Sequence, residues 1–160
     1  MTLDRELMQT IIKRYPRSRS AIMPLLHYVQ SLAGYVTNEG IEEIAKLLEL
    51  ETAEVTAVAT FYTQYKRRPV GEYHVGVCTN TLCAVMGGDA IFAALKDHLG
   101  VENDGVTADG KVSLEHIECN AACDYAPVVM ANWEFYDNQN VETAKDLVDS
   151  MRKGTPKPPT

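Results

Sequence analysis

Two cysteine pairs constrain this chain more than any other feature. Cys78-Thr79-Asn80-Thr81-Leu82-Cys83 follows the alternating run Tyr73, Val75, Val77, and Cys119-Asn120-Ala121-Ala122-Cys123 follows a second strand-like run from Val112 to Glu118. The spacings are C-x4-C and C-x3-C, with 35 residues between the pairs. Between the two runs, Ile91, Ala94, Leu95 and Leu99 repeat at helical spacing up to Gly100, so the order is strand, helix, strand. Such a crossover joins its strands in parallel. Both pairs then leave the sheet at the same edge, and four thiols converge.

The segments after the second pair complete a small α+β domain. Pro127 precedes an apolar stretch from Val128 to Ala131, and Trp133 to Tyr136 forms a further short strand close enough for an antiparallel hairpin. Asn140 caps a last helix carrying Val141, Ala144, Leu147, Val148 and Met151. Gly154 ends it, and Thr155 to Thr160 form a loose tail. This order is the thioredoxin-like arrangement.

The first 68 residues have a different character. Leu3, Leu7, Met8, Ile11 and Ile12 repeat at helical spacing until Pro16, and Ile22, Leu25, Leu26, Val29 and Leu32 repeat until Gly34, with Ser20 as the expected cap and Pro24 in the first turn. A third helix carries Ile41, Ile44, Leu47 and Leu48 behind Thr37 or Asn38. A fourth, capped by Thr52, carries Val55 and Val58 and runs towards Phe61, Tyr62 and Tyr65. The expected organisation is a helical bundle over residues 1–68, a thioredoxin-like domain over 69–153 and a tail over 154–160. Phe61, Tyr62 and Tyr65 are candidates for a docking surface or for packing between the two domains.

Charge separates the two parts as well. Before Gly71 there are nine Lys and Arg against eight Asp and Glu; from Gly71 onward there are six against fourteen, so the cysteine-bearing part holds a net charge of −8. A nucleic-acid function needs the opposite sign. No apolar run approaches the roughly 18 residues of a membrane span, and the Met1 end lacks the basic and apolar segments of a secretion signal. A reducing compartment follows, where four cysteines serve a metal or redox task rather than a disulfide scaffold.

Several occupants suit such thiols. Zinc takes four thiolates tetrahedrally, though its structural knuckles usually use C-x2-C pairs. A [2Fe-2S] cluster has two irons with two thiolates each, and wider loops suit a backbone that wraps it. Unligated or disulfide-bonded cysteines are the third possibility. A dithiol oxidoreductase lacks its C-x-x-C, and a Rieske centre lacks its histidines. Gly87 and Gly88 after Cys83 either bring backbone N–H groups close to sulfur or simply open the next helix. Asp124 reads as a solvated acid. His98 lies near a helix C-terminus, where the dipole favours it, and His27, His74 and His116 have no partner at ligand spacing. No Gly-rich nucleotide loop is present.

At these residues the chain resembles the thioredoxin-like [2Fe-2S] subunit of NADH:quinone oxidoreductase, respiratory complex I, known as the 24 kDa subunit. The resemblance runs from about Tyr15 to Lys153. It is carried by Ala21-Ile22-Met23-Pro24-Leu25-Leu26, Val58-Ala59-Thr60-Phe61-Tyr62, Val77 to Cys83, Met86-Gly87-Gly88, Thr107-Ala108-Asp109-Gly110-Lys111, and Glu118 to Val129. One departure stands out: many members have Leu-Gly after the third cysteine, where this chain has Asn120-Ala121. The resemblance implies an N-terminal helical bundle before a thioredoxin-like ferredoxin domain. It implies one [2Fe-2S] cluster, with Cys78 and Cys83 on one iron and Cys119 and Cys123 on the other, and no catalytic residue in this chain.

The implied partner is a flavoprotein subunit carrying FMN and the NADH site, with further peripheral-arm subunits of complex I beside it. The implied location is the cytoplasmic side of the inner membrane, peripherally and without insertion. Equivalent subunits of soluble NAD-linked hydrogenases or formate dehydrogenases are the near alternative, and a zinc-stabilised interaction module the distant one. An anionic cluster in an acidic domain resists a further electron, so the expected midpoint is low, about −400 mV as in plant-type ferredoxins.

Overall fold

The computed structural model describes residues 3–156, 158 and 159. It divides between Pro69 and Val70 into two compact units. Of the expected tail, Lys157 and Thr160 lie outside the described residues.

The first unit is four helices: α1 (Arg5–Ile12), α2 (Ile22–Ala33), α3 (Asn38–Leu48) and α4 (Thr52–Phe61). Their apolar stripes meet in one core that includes Met8, Leu25, Leu26, Val29, Ile44 and Val55, all fully buried. Each such side chain removed from water contributes about 1.5–3 kcal/mol. Gly40 lets α3 approach α2, since a Cβ there would stand 2.4 Å from Val29 Cγ1. Thr37 caps α3 by accepting the Gly40 N–H at 3.1 Å.

Two caps differ from expectation. Ser20 does not cap α2, because a 3-10 turn over Ser18–Ala21 runs directly into the helix and makes Ala21 its boundary. Glu51, not Thr52, is the N-cap of α4, with its N–H donating to Glu54 Oε2 at 3.0 Å. Glu54 also pairs with Arg19, which ties that turn to α4.

The second unit is built on a five-stranded sheet in the order β2-β3-β1-β4-β5, where β1 is Tyr73–Cys78, β2 Gly105–Val106, β3 Val112–Ile117, β4 Val129–Ala131 and β5 Glu134–Tyr136. β1 and β3 pair in parallel, and β4 returns antiparallel on the other side of β1. The crossover from β1 to β3 passes through α5 (Thr81–Val85) and α6 (Gly88–Leu99), and α7 (Val141–Arg152) closes the unit.

One sheet face is apolar because alternate residues point to it. Val75, Val77, Val112 and Leu114 are fully buried there, in one core with Ile91 and Leu95 of α6 and Leu147 and Val148 of α7. His98 has a more specific partner than the helix dipole: its Nε2 lies 2.8 Å from Asp149 Oδ1, linking α6 to α7. Asn140 caps α7 by accepting from the N–H groups of Glu142 and Thr143. Two elements fall where no periodicity marked them. β2 is two residues long, and α5 lies inside the first cysteine loop.

Candidate metal centre

The parallel register sets the site. Cys78, the last residue of β1, stands opposite Ile117, the last residue of β3 and two residues before Cys119. Both cysteine loops therefore leave the sheet at one edge. The Cys78 N–H donates to Val128 O at 3.2 Å, which also ties the chain leading into β4 to this edge.

The first loop turns through α5. Thr81 opens it at a φ of 26°, and the turn buries Cys83 beside Cys78, leaving each 3% exposed. Ala126 and Ile117 pack against this thiol pair. Gly87 then takes a φ of 115°, which an L side chain rarely adopts, and Gly88 starts α6. No Cβ fits at Gly88, because it would lie 2.4 Å from Cys78 O and 2.9 Å from Cys83 O. The glycine pair is thus a requirement of the cysteine loop rather than a loose entry to the helix.

The second loop is open to solvent. Cys119 and Cys123 are both exposed. Ala121 sits at a φ of 54°, and this turn lets its N–H donate to Cys119 Sγ at 3.2 Å. Asn120 beside it holds its side-chain Nδ2 buried without a hydrogen-bond partner. Asp124 is exposed, as expected of a solvated acid.

All four cysteines are free thiols, Cys78 and Cys83 buried and Cys119 and Cys123 exposed. Cys83 is influenced electrostatically by Cys78 and Cys123, and Cys123 by Cys119 and Cys78, so the two pairs are neighbours. Burial raises the Cys83 thiol pKa, and the neighbouring thiols raise it further, against a lowering hydrogen bond from the Val128 backbone. Desolvation raises that of Cys123, followed by the effect of Cys119. Thiols that share a site resist ionising together unless a cation compensates them.

Among the described residues, no three His, Cys, Asp or Glu side chains form a ready site for a metal ion. The donor set nonetheless fits a binuclear cluster in number and kind: two thiols for each of two irons, a backbone cradle that a Cβ would fill, and an unclaimed buried donor. His74 belongs to a separate group on the sheet, with Nδ1 2.8 Å from Ser113 Oγ and Nε2 2.9 Å from Glu115 Oε1. The cross-strand register that pairs His74 with Ser113 is what sequence spacing alone did not show.

The aromatic candidates in the first unit separate. Tyr65 is core, 3% exposed, and donates its hydroxyl to Met23 O at 3.1 Å. Phe61 is 77% exposed and lines an open groove with Tyr62, Ala57 and Val58.

This fold and donor set define a class, and the chain belongs to it: the model of the thioredoxin-like [2Fe-2S] ferredoxin family matches residues 8–152. Particular relatives are named as the E subunit of NADH-quinone oxidoreductase. The protein of that name from Mycobacterium tuberculosis is 67% identical over 150 residues, which cover 94% of this chain and 60% of that relative. The chain thus spans about three fifths of the length of its mycobacterial relatives. The one from Rickettsia bellii is 41% identical over 149 residues, covering 91% of this chain and 89% of the relative. Among solved structures, a chain of NAD+-reducing [NiFe]-hydrogenase superposes with a TM-score of 0.71 over 82% of this chain and 22% of its own, at 18% identity, a likeness of fold alone.

Proposed function

We propose that this chain is the [2Fe-2S] electron-transfer subunit of an NADH:quinone oxidoreductase, with Cys78 and Cys83 holding one iron and Cys119 and Cys123 the other. The observation that carries this reading is the delivery of two thiol pairs to one sheet edge by the parallel pairing of β1 with β3. When bound, such a cluster takes up and returns one electron at a time.

The residues of the chain divide the remaining tasks. Cys78 and Cys83 supply a buried half, shielded by Ala126 and Ile117. The backbone N–H of Ala121 donates to the sulfur of Cys119, and the Val128 backbone lowers the pKa of the Cys83 thiol against its burial. Exposed Cys119 and Cys123 supply the half at the surface, where a redox partner approaches. Large apolar side chains stand exposed in the same segments: Leu82, Val85 and Met86 after Cys78, and Tyr125 after Cys123. An apolar surface of this kind suits a protein partner better than water.

The partner in this reading is a flavoprotein subunit bearing FMN and the NADH site, with further peripheral-arm subunits around it. The names of the relatives support an assembly that couples NADH to quinone. In this reading the assembly's arm is peripheral, on the cytoplasmic face of the membrane; among the described residues no helix is long and apolar enough to cross one.

Iron and acid-labile sulfide analysis with low-temperature EPR of the reduced protein tests the reading. The expected result is about two irons and two sulfides per chain, an EPR signal on reduction and a midpoint of about −400 mV. Cys→Ser changes at the four positions abolish or alter that signal. A colourless zinc protein or a positive midpoint overturns the proposal. The isolated chain does not oxidise NADH, and a flavoprotein copurifies with it from its source.

A further inference from the structure

Asn120 follows Cys119 directly and starts the turn that returns the chain to Cys123. Its side-chain Nδ2 is buried and has no hydrogen-bond partner in the polypeptide. A buried amide donor without an acceptor bears the full cost of leaving water, so folded chains rarely keep one unless its partner comes from outside the chain. The place of Asn120 in the chain, between Cys119 and the residue whose N–H bonds that sulfur, points to the partner: Cys119 Sγ accepts the Ala121 N–H at 3.2 Å, so this loop turns one backbone donor towards sulfur.

Resting on the reading of the four cysteines as cluster ligands, we propose that the Asn120 side-chain amide donates a hydrogen bond to a sulfur of the bound [2Fe-2S] cluster and thereby tunes its potential. Reduction adds one electron to a sulfur-rich anion, and no proton is transferred in the step. A donor to sulfur stabilises the more negative, reduced form more than the oxidised one. Asn120 therefore raises the midpoint, against the acidic residues that lower it.

Two variants of the full-length, cluster-loaded chain test this. Asn120→Leu keeps the approximate shape without a donor, and Asn120→Asp replaces the amide by a carboxylate. Iron and sulfide content are measured first, then the midpoint by EPR-monitored titration, then exchangeable-proton couplings by pulsed ENDOR in H2O and D2O. Both variants are expected to hold the cluster and to titrate at a more negative midpoint than the wild type, N120D furthest because it adds charge. One exchangeable coupling present in the wild type is absent from N120L.

A loaded N120L with the wild-type midpoint and couplings overturns the proposal, leaving Asn120 bonded to water alone. So does failure of both variants to load while their circular dichroism remains native, which makes Asn120 a determinant of loop shape. Absence of iron and sulfide from the wild type refutes instead the underlying reading of the cysteines.

Discussion

The Cβ that Gly88 lacks would lie 2.4 Å from the carbonyl oxygen of Cys78, ten residues earlier at the end of the central strand. The start of α6 is pressed against the backbone of both buried cysteines, so helix entry and thiol placement are one packing problem. The contact is with main chain on both sides, which cannot rotate out of the way.

Gly88→Ala is therefore expected to destabilise the second unit by about 1–3 kcal/mol, the usual range for an overpacked site. It also lowers iron content, because the first loop must shift. Urea unfolding and iron analysis of the purified variant check both effects; a variant with unchanged iron and stability contradicts the contact.

Ala121 holds a left-handed backbone at a φ of 54°. For a residue with a Cβ this conformation costs about 1–2 kcal/mol. Ala121→Gly should release most of that, offset by the greater freedom of glycine in the unfolded chain, for a net gain of up to about 1 kcal/mol. Ala121→Val should lose at least about 1 kcal/mol, since β-branching is least tolerated there. Denaturation midpoints of the two variants should therefore move in opposite directions.

Acid should act through Asp109. The Thr107 hydroxyl first, then the Lys111 N–H and Arg152, hold its carboxyl at about 2, below the ordinary 3.8. A carboxyl depressed by folding contributes stability that is complete above its unfolded value and is lost as pH falls through the folded one. The contribution should thus disappear between about pH 4 and pH 2. Asp109→Asn removes it at all pH values, so the gap in Tm between wild type and variant should be widest near neutrality and close over that window.

Tyr65 should report alkaline loss of stability. Burial first, then Tyr62, pushes its phenol up to about 12. The unfolded chain ionises near 10 while the folded one does not, so stability falls as pH rises beyond that value. Tyr65→Phe flattens this slope. At neutral pH it costs about 1 kcal/mol, because Met23 O loses its donor. Chemical denaturation of both proteins at pH 7 and above pH 10 measures the two effects.

Much of the architecture was legible in residue order because it depends on periodicity. Ile91, Leu95 and Leu99 mark one helix face, and Tyr73, Val75 and Val77 mark a strand. The elements that escaped such reading are short. α5 spans five residues and β2 two, too few to display a period. The cap expected at Ser20 failed because a 3-10 turn carries the chain into α2 and leaves Ala21 at its boundary, and the one expected at Thr52 failed because the neighbouring Glu51 took that place. Tyr65 looked equally suited to surface and core until its hydroxyl found Met23.

By itself the sequence determined that the cysteines come in two pairs, that each pair follows a strand, and that a helix between them makes those strands parallel. These are properties of local order, carried by spacing and alternation. Tertiary structure decided how the pairs differ. Cys78 and Cys83 lie under Ala126 and Ile117 while Cys119 and Cys123 face solvent. It also decided that Gly88 has no room for a side chain and that Asn120 keeps a buried donor unpaired. Each of these depends on atoms brought together from distant parts of the chain or on solvent exclusion around a loop, and neither burial nor contact distance is a property of residue order.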